Sequence, residues 1–233
     1  MRIAVISDIH SNLAALRSVF ETIDERKVDH IYCLGDIVGY GPFPNECITM
    51  VRERCTAVVM GNHDSGVLGK TPLGHFNEFG RSAIKWTKKQ ITPEHLLYLN
   101  SLPLLAVHGD VTLAHASPMD PADWIYIMTW PAAQRCFESF KTKLCFIGHT
   151  HVPVTITEGA STNQFTRNSR HLINVGSVGQ PRDGKPQASF YIVDTDEWTA
   201  ENVRAVYEIR ETAKAIEDAG LPEFLAERLY LGI

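Results

Sequence analysis

The chain has 233 residues, 44% hydrophobic and 21% charged, enough for one full-sized domain with a large core. Its net charge of −5 argues against broad contact with a nucleic-acid backbone or an anionic membrane, so an anionic substrate has to be held by local cations. No stretch approaches the ~20 apolar residues of a membrane span, and the short apolar run at the N-terminus is not expected to be a signal peptide. Five scattered cysteines without a CxxC pair imply neither a disulfide framework nor a thiolate zinc site, and a reducing, cytoplasmic location is expected.

Arg2 to Ser7 is short, apolar and partly β-branched, which predicts a buried strand. It stops at Asp8, with His10 two residues on. Asn12 is a candidate cap for a helix whose Leu13, Leu16, Val19, Phe20 and Ile23 recur at helical spacing. His30 to Leu34 predicts a second strand, followed at once by Gly35-Asp36. A helix entered through Pro42 and Pro44 carries Glu46, Ile48, Met50 and Val51. Thr56 to Met60 predicts a third strand, ending in Gly61-Asn62-His63-Asp64. Strand, helix, strand, helix, strand is the order of a parallel, helix-covered sheet, whose carboxyl ends are where such sheets place ligands.

Ser65 to Gly74 reads as a loop. Helices are expected over Phe76 to Lys88 and Pro93 to Leu102, the second with Thr92-Pro93 as cap and first turn. Leu104 to Val107 and Val111 to His115 flank a hairpin at His108-Gly109-Asp110. A long aromatic-containing loop from Ser117 to Trp130 precedes a helix over Pro131 to Phe140. Leu144 to Ile147 is a short strand ending in Gly148-His149-Thr150-His151. Val154 to Thr157 and His171 to Val175 are expected as antiparallel strands around a polar connection over residues 158–170. A loop over Gly176 to Gly184, strands at Ala188 to Val193 and Val203 to Tyr207, and amphipathic C-terminal helices complete the chain. With no repeat, low-complexity tract or linker, one domain over residues 1–233 is expected, with a parallel start, an antiparallel second half and a helical extension from about 208 to 233. Cys33 and Cys145, inside apolar strands, are expected as buried core thiols.

Asp8 and His10, Asp36, Asn62 and His63, His115, and His149 and His151 each end or follow a predicted strand, and they take up five of the ten histidines. Singly, Asp36 or Asn62 could cap a turn, His115 could be a satisfied core histidine and His149 a loop residue. Asp and His are seldom needed at strand ends for folding. Their recurrence at five of them is better explained by a shared dinuclear metal centre.

Asp8-Ile9-His10, Gly35-Asp36, Gly61-Asn62-His63-Asp64, His115 and Gly148-His149-Thr150-His151 resemble, in order, the motif series of the calcineurin-like metallophosphoesterases, in particular the small bacterial and archaeal phosphodiesterase-type members. The resemblance runs from residue 1 to about 194. It implies an α/β fold, a four-layer αββα sandwich of two mixed sheets flanked by helices. It also implies two divalent cations, with Asp8, His10 and His151 on one, Asn62, His115 and His149 on the other, and Asp36 bridging. Mn²⁺ is the first expectation; Fe, Zn²⁺ and Ni²⁺ stay open, because spacing does not choose among them. Such a pair, roughly 3.5–4 Å apart, would acidify a bridging water into the nucleophile and neutralise the phosphoryl group. By the same resemblance His63 would protonate the leaving oxygen as general acid. Asp64 would orient or charge-tune that imidazole, or be a plain turn residue.

The segment Asn174 to Gly184 resembles one in the smaller members of this family. Its Arg182 could grip a phosphate oxygen or be one exposed arginine on a surface loop. Tyr40, Phe43, Trp124, Tyr126 and Trp130 could wall a pocket and stack on a base, or simply pack. Protein phosphatases of this superfamily carry an Asp-Arg-Gly element, whereas Gly35 to Gly41 holds no arginine. That puts protein phosphatase activity in doubt, together with symmetrical dinucleoside tetraphosphate cleavage of the related type. Nucleases of the superfamily normally bring capping domains and basic surfaces, and the short length and acidic balance argue against that reading. The expected activity is hydrolysis of a small phosphodiester or phosphomonoester, with a nucleotide-like substrate in view. A nucleotide or dinucleoside polyphosphate hydrolase, a protein phosphatase or a non-catalytic metal-binding scaffold remain as alternatives. Scaffold relatives typically lose ligands or the His63 equivalent, and here all are present. No nucleic-acid or membrane partner is expected. The chain is expected as monomer or homodimer, with Leu221 to Ile233 packing on its own domain or on a second copy.

Overall fold

The computed structural model describes residues 1–160 and 164–233; residues 161–163 of the predicted polar connection lie outside it. Strand β1 (Arg2–Ile6), helix α1 (Leu13–Arg26), β2 (His30–Cys33), α2 (Pro44–Arg54) and β3 (Ala57–Val58) alternate as expected. Helices α3 (Asn62–Leu68), α4 (Glu78–Gln90) and α5 (Pro93–Ser101) come next. They lead to β4 (Leu105–His108), β5 (Val111–Ala114), α6 (Trp130–Cys136), β6 (Leu144–Ile147), β7 (Val154–Thr157) and β8 (His171–Asn174). The chain closes with β9 (Ala188–Asp194), β10 (Thr199–Ala205), α7 (Ile209–Asp218) and α8 (Phe224–Leu231).

Two five-stranded mixed sheets result, ordered β10-β9-β1-β2-β3 and β4-β5-β6-β8-β7. In the first, β1, β2 and β3 run parallel, with Ile3 opposite His30 and Ile6 opposite Cys33, while β9 and β10 add antiparallel strands. In the second, β5, β6 and β8 are parallel and β4 and β7 pair antiparallel at the edges. The expected antiparallel second half holds for β4 with β5, β7 with β8, and β9 with β1 and β10, and is corrected for β6, which pairs parallel with both β5 and β8. A short strand buried on both faces reads the same in either orientation, and the long excursion through α6 is what lets β6 return parallel to β5.

The alternation along β1 shows the layers. Ile3 and Val5 pack with Tyr32, Leu34, Leu113, Phe146 and Ile173 between the sheets. Ala4 and Ile6 face the other way, against Leu16, Val19 and Phe20 of α1 and Ile48 and Val51 of α2. Beyond the second sheet, Cys145, Ile147 and Leu172 meet Ala133, Cys136 and Phe137. The order is helix, sheet, sheet, helix. Helix α1 is capped by Asn12, whose side chain accepts the Ala15 N–H at 3.2 Å. It is held chiefly by burial of Leu13, Leu16, Val19, Phe20 and Ile23, worth about 1.5–3 kcal/mol each.

Residues 62–68 form a helix that takes in the start of the loop expected over Ser65 to Gly74. Helix α3 buries Asn62, His63, Asp64 and Ser65 along with Val67, so it shows no apolar stripe against a polar face. At the other end, Ile216 of α7, Leu225 and Leu229 of α8, and Leu221 between the two helices pack with Tyr40 and Ala83 of the same chain. Cys33 and Cys145 are fully buried. Among the described residues, no helix is long and apolar enough to cross a membrane.

Candidate metal centre

The turns after the strands are stitched to one another by main-chain bonds. Asp8 N–H donates to Gly35 O (3.0 Å), His10 N–H to Asp36 O (2.9 Å), Ser11 N–H to Ile37 O (2.9 Å) and Gly148 N–H to His115 O (2.7 Å). Asp8, His10, Asp36, His149 and His151 all carry positive φ, between 50° and 66°. Residues with side chains seldom sit there, at an order of 1–3 kcal/mol each. The stitching holds them in place and turns their side chains into one volume.

All seven candidate ligands meet in that volume. Asp8, His10, Asp36, His115 and His151 are each at most 2% exposed. Asp8 Oδ1 and His10 Nε2 both lie 3.2 Å from His151 Nε2. On the other side, His115 Nε2 lies 3.0 Å from Asn62 Oδ1, and His149 clusters with His115 and Asp36 within 4.8 Å. Asp36 stands between the groups, with Oδ2 3.7 Å from His10 Nε2 and 3.4 Å from His115 Nε2.

Three main-chain carbonyls fix the imidazoles. His10 Nδ1 bonds Val38 O (3.2 Å), His115 Nδ1 bonds Leu34 O (2.8 Å) and His151 Nδ1 bonds Gln180 O (2.5 Å). A carbonyl only accepts, so each Nδ1 holds the hydrogen and each Nε2 presents its other valence inward. Asp8 Oδ1 and His149 Nε2 are buried with no hydrogen-bond partner. Inward nitrogens facing each other beside bare carboxylate oxygen are a donor set without a donor. A divalent cation fits it.

Burial pushes the His10, His149 and His151 imidazoles down, His149 to about 3, which keeps them neutral as ligands must be. Burial pushes Asp8 and Asp36 up. His151 beside Asp8, and His115 and His63 beside Asp36, outweigh it and hold both carboxyls below the usual range. At His115 burial works downward, yet Asp36 and Asp8 outweigh it and raise the ring to about 9. The proton there neutralises the same carboxylates that a cation would.

His63 sits at the edge of the cluster. Its N–H donates to Asp36 Oδ1 (2.8 Å), and its ring meets those of Tyr40, His10 and Phe76 at 4.5, 4.8 and 5.1 Å. Among the described residues Asp64 makes no hydrogen bond to the His63 ring. Asp64 Oδ1 accepts Val38 N–H (3.2 Å) and Oδ2 accepts Gly61 N–H (3.0 Å), so the carboxylate braces the two loops that carry Asp36 and Asn62. Burial first, then Asp36, raises it to about 7.

Arg182 is half-buried, with Nη2 donating to Gln180 Oε1 (2.9 Å) and its own N–H to His151 O (3.3 Å). Tyr40, Trp124 and Tyr126 line a cavity of about 230 Å³ with Asn62, His63, Phe76 and His149. Phe43 packs instead against the core of α1 and α2, and Trp130 lies exposed in the first turn of α6.

Sequence reasoning missed the supports. Asn174 Nδ2 donates to Gly148 O (2.6 Å) and Thr150 Oγ1 (2.9 Å), and Ser177 Oγ donates to Asp8 O (2.8 Å). Val178 N–H and Gly179 N–H bond Ser7 O and Asp8 O, each at 2.9 Å. The stretch from Asn174 to Pro181 is thus a buried buttress under Asp8 and His151, and its own unusual sequence was the signal.

A family model described as the calcineurin-like phosphoesterase superfamily domain matches residues 1–198. The chain belongs to this superfamily. Membership implies a phosphoester hydrolase. A curated relative, an uncharacterised protein of Methanocaldococcus jannaschii, is 44% identical over 99% of this chain and 98% of its own. The crystal structure of a metallophosphoesterase from Sphaerobacter thermophilus is 43% identical, with a TM-score of 0.88 over 100% of this chain and 99% of that one. A Pyrococcus horikoshii structure shares the calcineurin-like fold at 21% identity, with a TM-score of 0.85 over 100% of this chain and 98% of that one. A symmetrical bis(5'-nucleosyl)-tetraphosphatase of Aliivibrio fischeri is 31% identical over 48% of this chain and 43% of its own length.

Proposed function

We propose that the chain hydrolyses small phosphodiesters or phosphomonoesters with two divalent cations. Asp8, His10 and His151 would hold one, Asn62, His115 and His149 the other, and Asp36 both. The observation that carries this is Asp36 placed between two ligand clusters, beside buried donor atoms of Asp8 and His149 that nothing in the protein satisfies. A polar core built only for stability pairs such atoms. Mn²⁺ is the first choice for these mixed N/O donors, with Fe, Zn²⁺ and Ni²⁺ as alternatives. Bound cations would supply Lewis-acid neutralisation of the phosphoryl group and acidify water.

The chain's own residues do the rest. His63 lines the cavity, with its main chain fixed to Asp36 and its ring held by Tyr40 and Phe76. It is the group we assign to protonate the leaving oxygen. Burial holds it down at about 4 in the free protein; an anionic phosphoryl group alongside raises it, because opposite charge favours the protonated ring. Phe76, Trp124 and Tyr126 give the leaving group apolar faces.

The tetraphosphatase match favours a dinucleoside polyphosphate as a second reading. The absence of an arginine after Gly35-Asp36 and the brevity of the matched stretch stand against it. A metal-reconstituted panel decides between them: p-nitrophenyl phosphate, its bis-ester, cyclic nucleotides and dinucleoside polyphosphates, with Asp36→Ala as blank. Turnover of a small ester that the blank lacks supports the proposal. Tight metal binding with no ester hydrolysed would return the scaffold reading.

A further inference from the structure

Trp124 stands between two cavities. It lines the one of about 230 Å³ that holds Asn62, His63 and His149, and equally a second of about 180 Å³ bounded by Met60, Lys70, Leu102 and Leu104. Thr71 is the other residue shared by both. The two shared side chains are bonded to each other: the indole Nε1–H donates to Thr71 Oγ1 (2.9 Å). Thr71 Oγ1 in turn shares a hydrogen with Ser65 Oγ (2.7 Å), and Lys70 N–H donates to Ser65 O (3.0 Å). Ser65 and Thr71 are buried, so these bonds form where water competes little. Ser65 belongs to α3, the helix that carries Asn62 and His63. The wall between the cavities is therefore tied to the element that presents the candidate site.

The backbone holds the indole there against its own preference. Trp124 has φ 54°, a left-handed conformation that bulky residues rarely adopt. Such strain persists where the surroundings over-determine it. Here they are the bond to Thr71 and an edge-on contact with the His115 ring, centroids 5.9 Å apart at 72°. Elsewhere around the first cavity, Tyr126 stacks on the His149 ring at 3.8 Å and Phe76 meets His63 edge-on. Rings thus wall the space beside the candidate ligands on several sides. At about 230 Å³ that space is smaller than the ~300–1,000 Å³ usual for a drug-sized ligand, a range that the two cavities joined would reach.

We propose that Trp124, pinned by Thr71, is a specificity-determining partition that confines the leaving group of the substrate to the first cavity and shuts off the second. The substrate class is a phosphoester of a small alcohol or phenol, one ring or less. A larger leaving group finds no further buried surface, and its excess stays in water. This rests on the phosphoesterase reading for the phosphoryl end. Shortening the indole opens the wall, because the surroundings of a truncated side chain relax only in part.

The test compares benzylphosphonate with 1-naphthylmethylphosphonate, which differ by one fused ring, by calorimetry on the full-length, metal-reconstituted protein. The wild type is expected to bind the two alike. Trp124→Ala should raise the naphthyl-to-benzyl affinity ratio about tenfold, the gain from burying one more ring. Thr71→Val, which keeps the indole but removes its acceptor, should raise the ratio about threefold. Trp130→Ala, at an exposed ring that lines neither cavity, should leave it unchanged. In turnover, the ratio of kcat/KM for 4-methylumbelliferyl phosphate over p-nitrophenyl phosphate should rise about tenfold in Trp124→Ala, mainly through KM. A wild type that already prefers the naphthyl compound tenfold, or an unchanged ratio in Trp124→Ala, overturns the partition. An unchanged ratio in Thr71→Val alone overturns the pin. Should Trp124→Ala unfold, Trp124→Leu, with less bulk than indole, carries the same comparison. Size selection in binding with neither ester hydrolysed overturns only the hydrolytic reading.

Discussion

Asp8 and His149 are 141 residues apart, and the His149 N–H donates to Asp8 Oδ2 at 2.9 Å. Asp8 follows β1 in one sheet and His149 follows β6 in the other, so the candidate metal centre is a seam between the sheets. The bond occupies one carboxylate oxygen and leaves Oδ1 bare, 3.2 Å from His151 Nε2. Gly148 makes the approach possible, because a Cβ there would overlap Ser7 Oγ and Asp8 Oδ2. Gly148→Ala should therefore cost about 1–3 kcal/mol by overpacking and weaken metal binding, although it removes no ligand. Thermal melting and metal content check this together. An unchanged melt with full metal content would show that the seam tolerates the extra carbon.

Asp36 and His149 are expected to fail differently. Asp36 stands within reach of both ligand clusters, whereas His149 belongs to one. Asp36→Ala should lose both ions and fall to background turnover. His149→Ala should keep the ion on the Asp8, His10 and His151 side. Metal content by elemental analysis after gel filtration separates the two. Equal losses would mean that the clusters do not divide the ions as proposed.

The candidate ligands were legible because coordination would restrict residue choice: Asp8, Asp36, His115 and His151 are each carboxylate or imidazole, and each sits just past a short apolar run. Their supports were not. The acceptors that fix His115, His10 and His151 are the carbonyls of Leu34, Val38 and Gln180, and any residue supplies a carbonyl. Helix α3 was hidden because its buried residues are polar ones facing the site. The orientation of β6 and β8 was hidden because strands buried on both faces lose the alternation that marks a face.

His63→Gln should retain metal, since no main-chain support of the ligands depends on its ring. Its effect should depend on the leaving group. With an alkyl leaving group, which needs a proton, turnover should fall by the ~10²–10⁴ typical of a lost general acid. With p-nitrophenolate, which leaves without one, the loss should be much smaller. Equal losses on both substrates would point to a defect in binding rather than in proton transfer.

Chelation tests the centre without any substitution. Asp8 and Asp36 are buried carboxylates that the fold holds charged beside imidazoles, a costly arrangement on its own. Each cation binding only the folded state adds RT ln(1 + [L]/Kd), about 2.7 kcal/mol at a hundredfold excess over Kd, so a pair adds about 5 kcal/mol. At ~2–4 °C per kcal/mol for a domain of this size, chelator should lower the wild-type melting temperature by roughly 10–20 °C. Asp36→Ala, already without ions, should melt at nearly the same temperature with and without chelator. A wild-type drop of the same size in Asp36→Ala would place the stabilising ions elsewhere in the molecule.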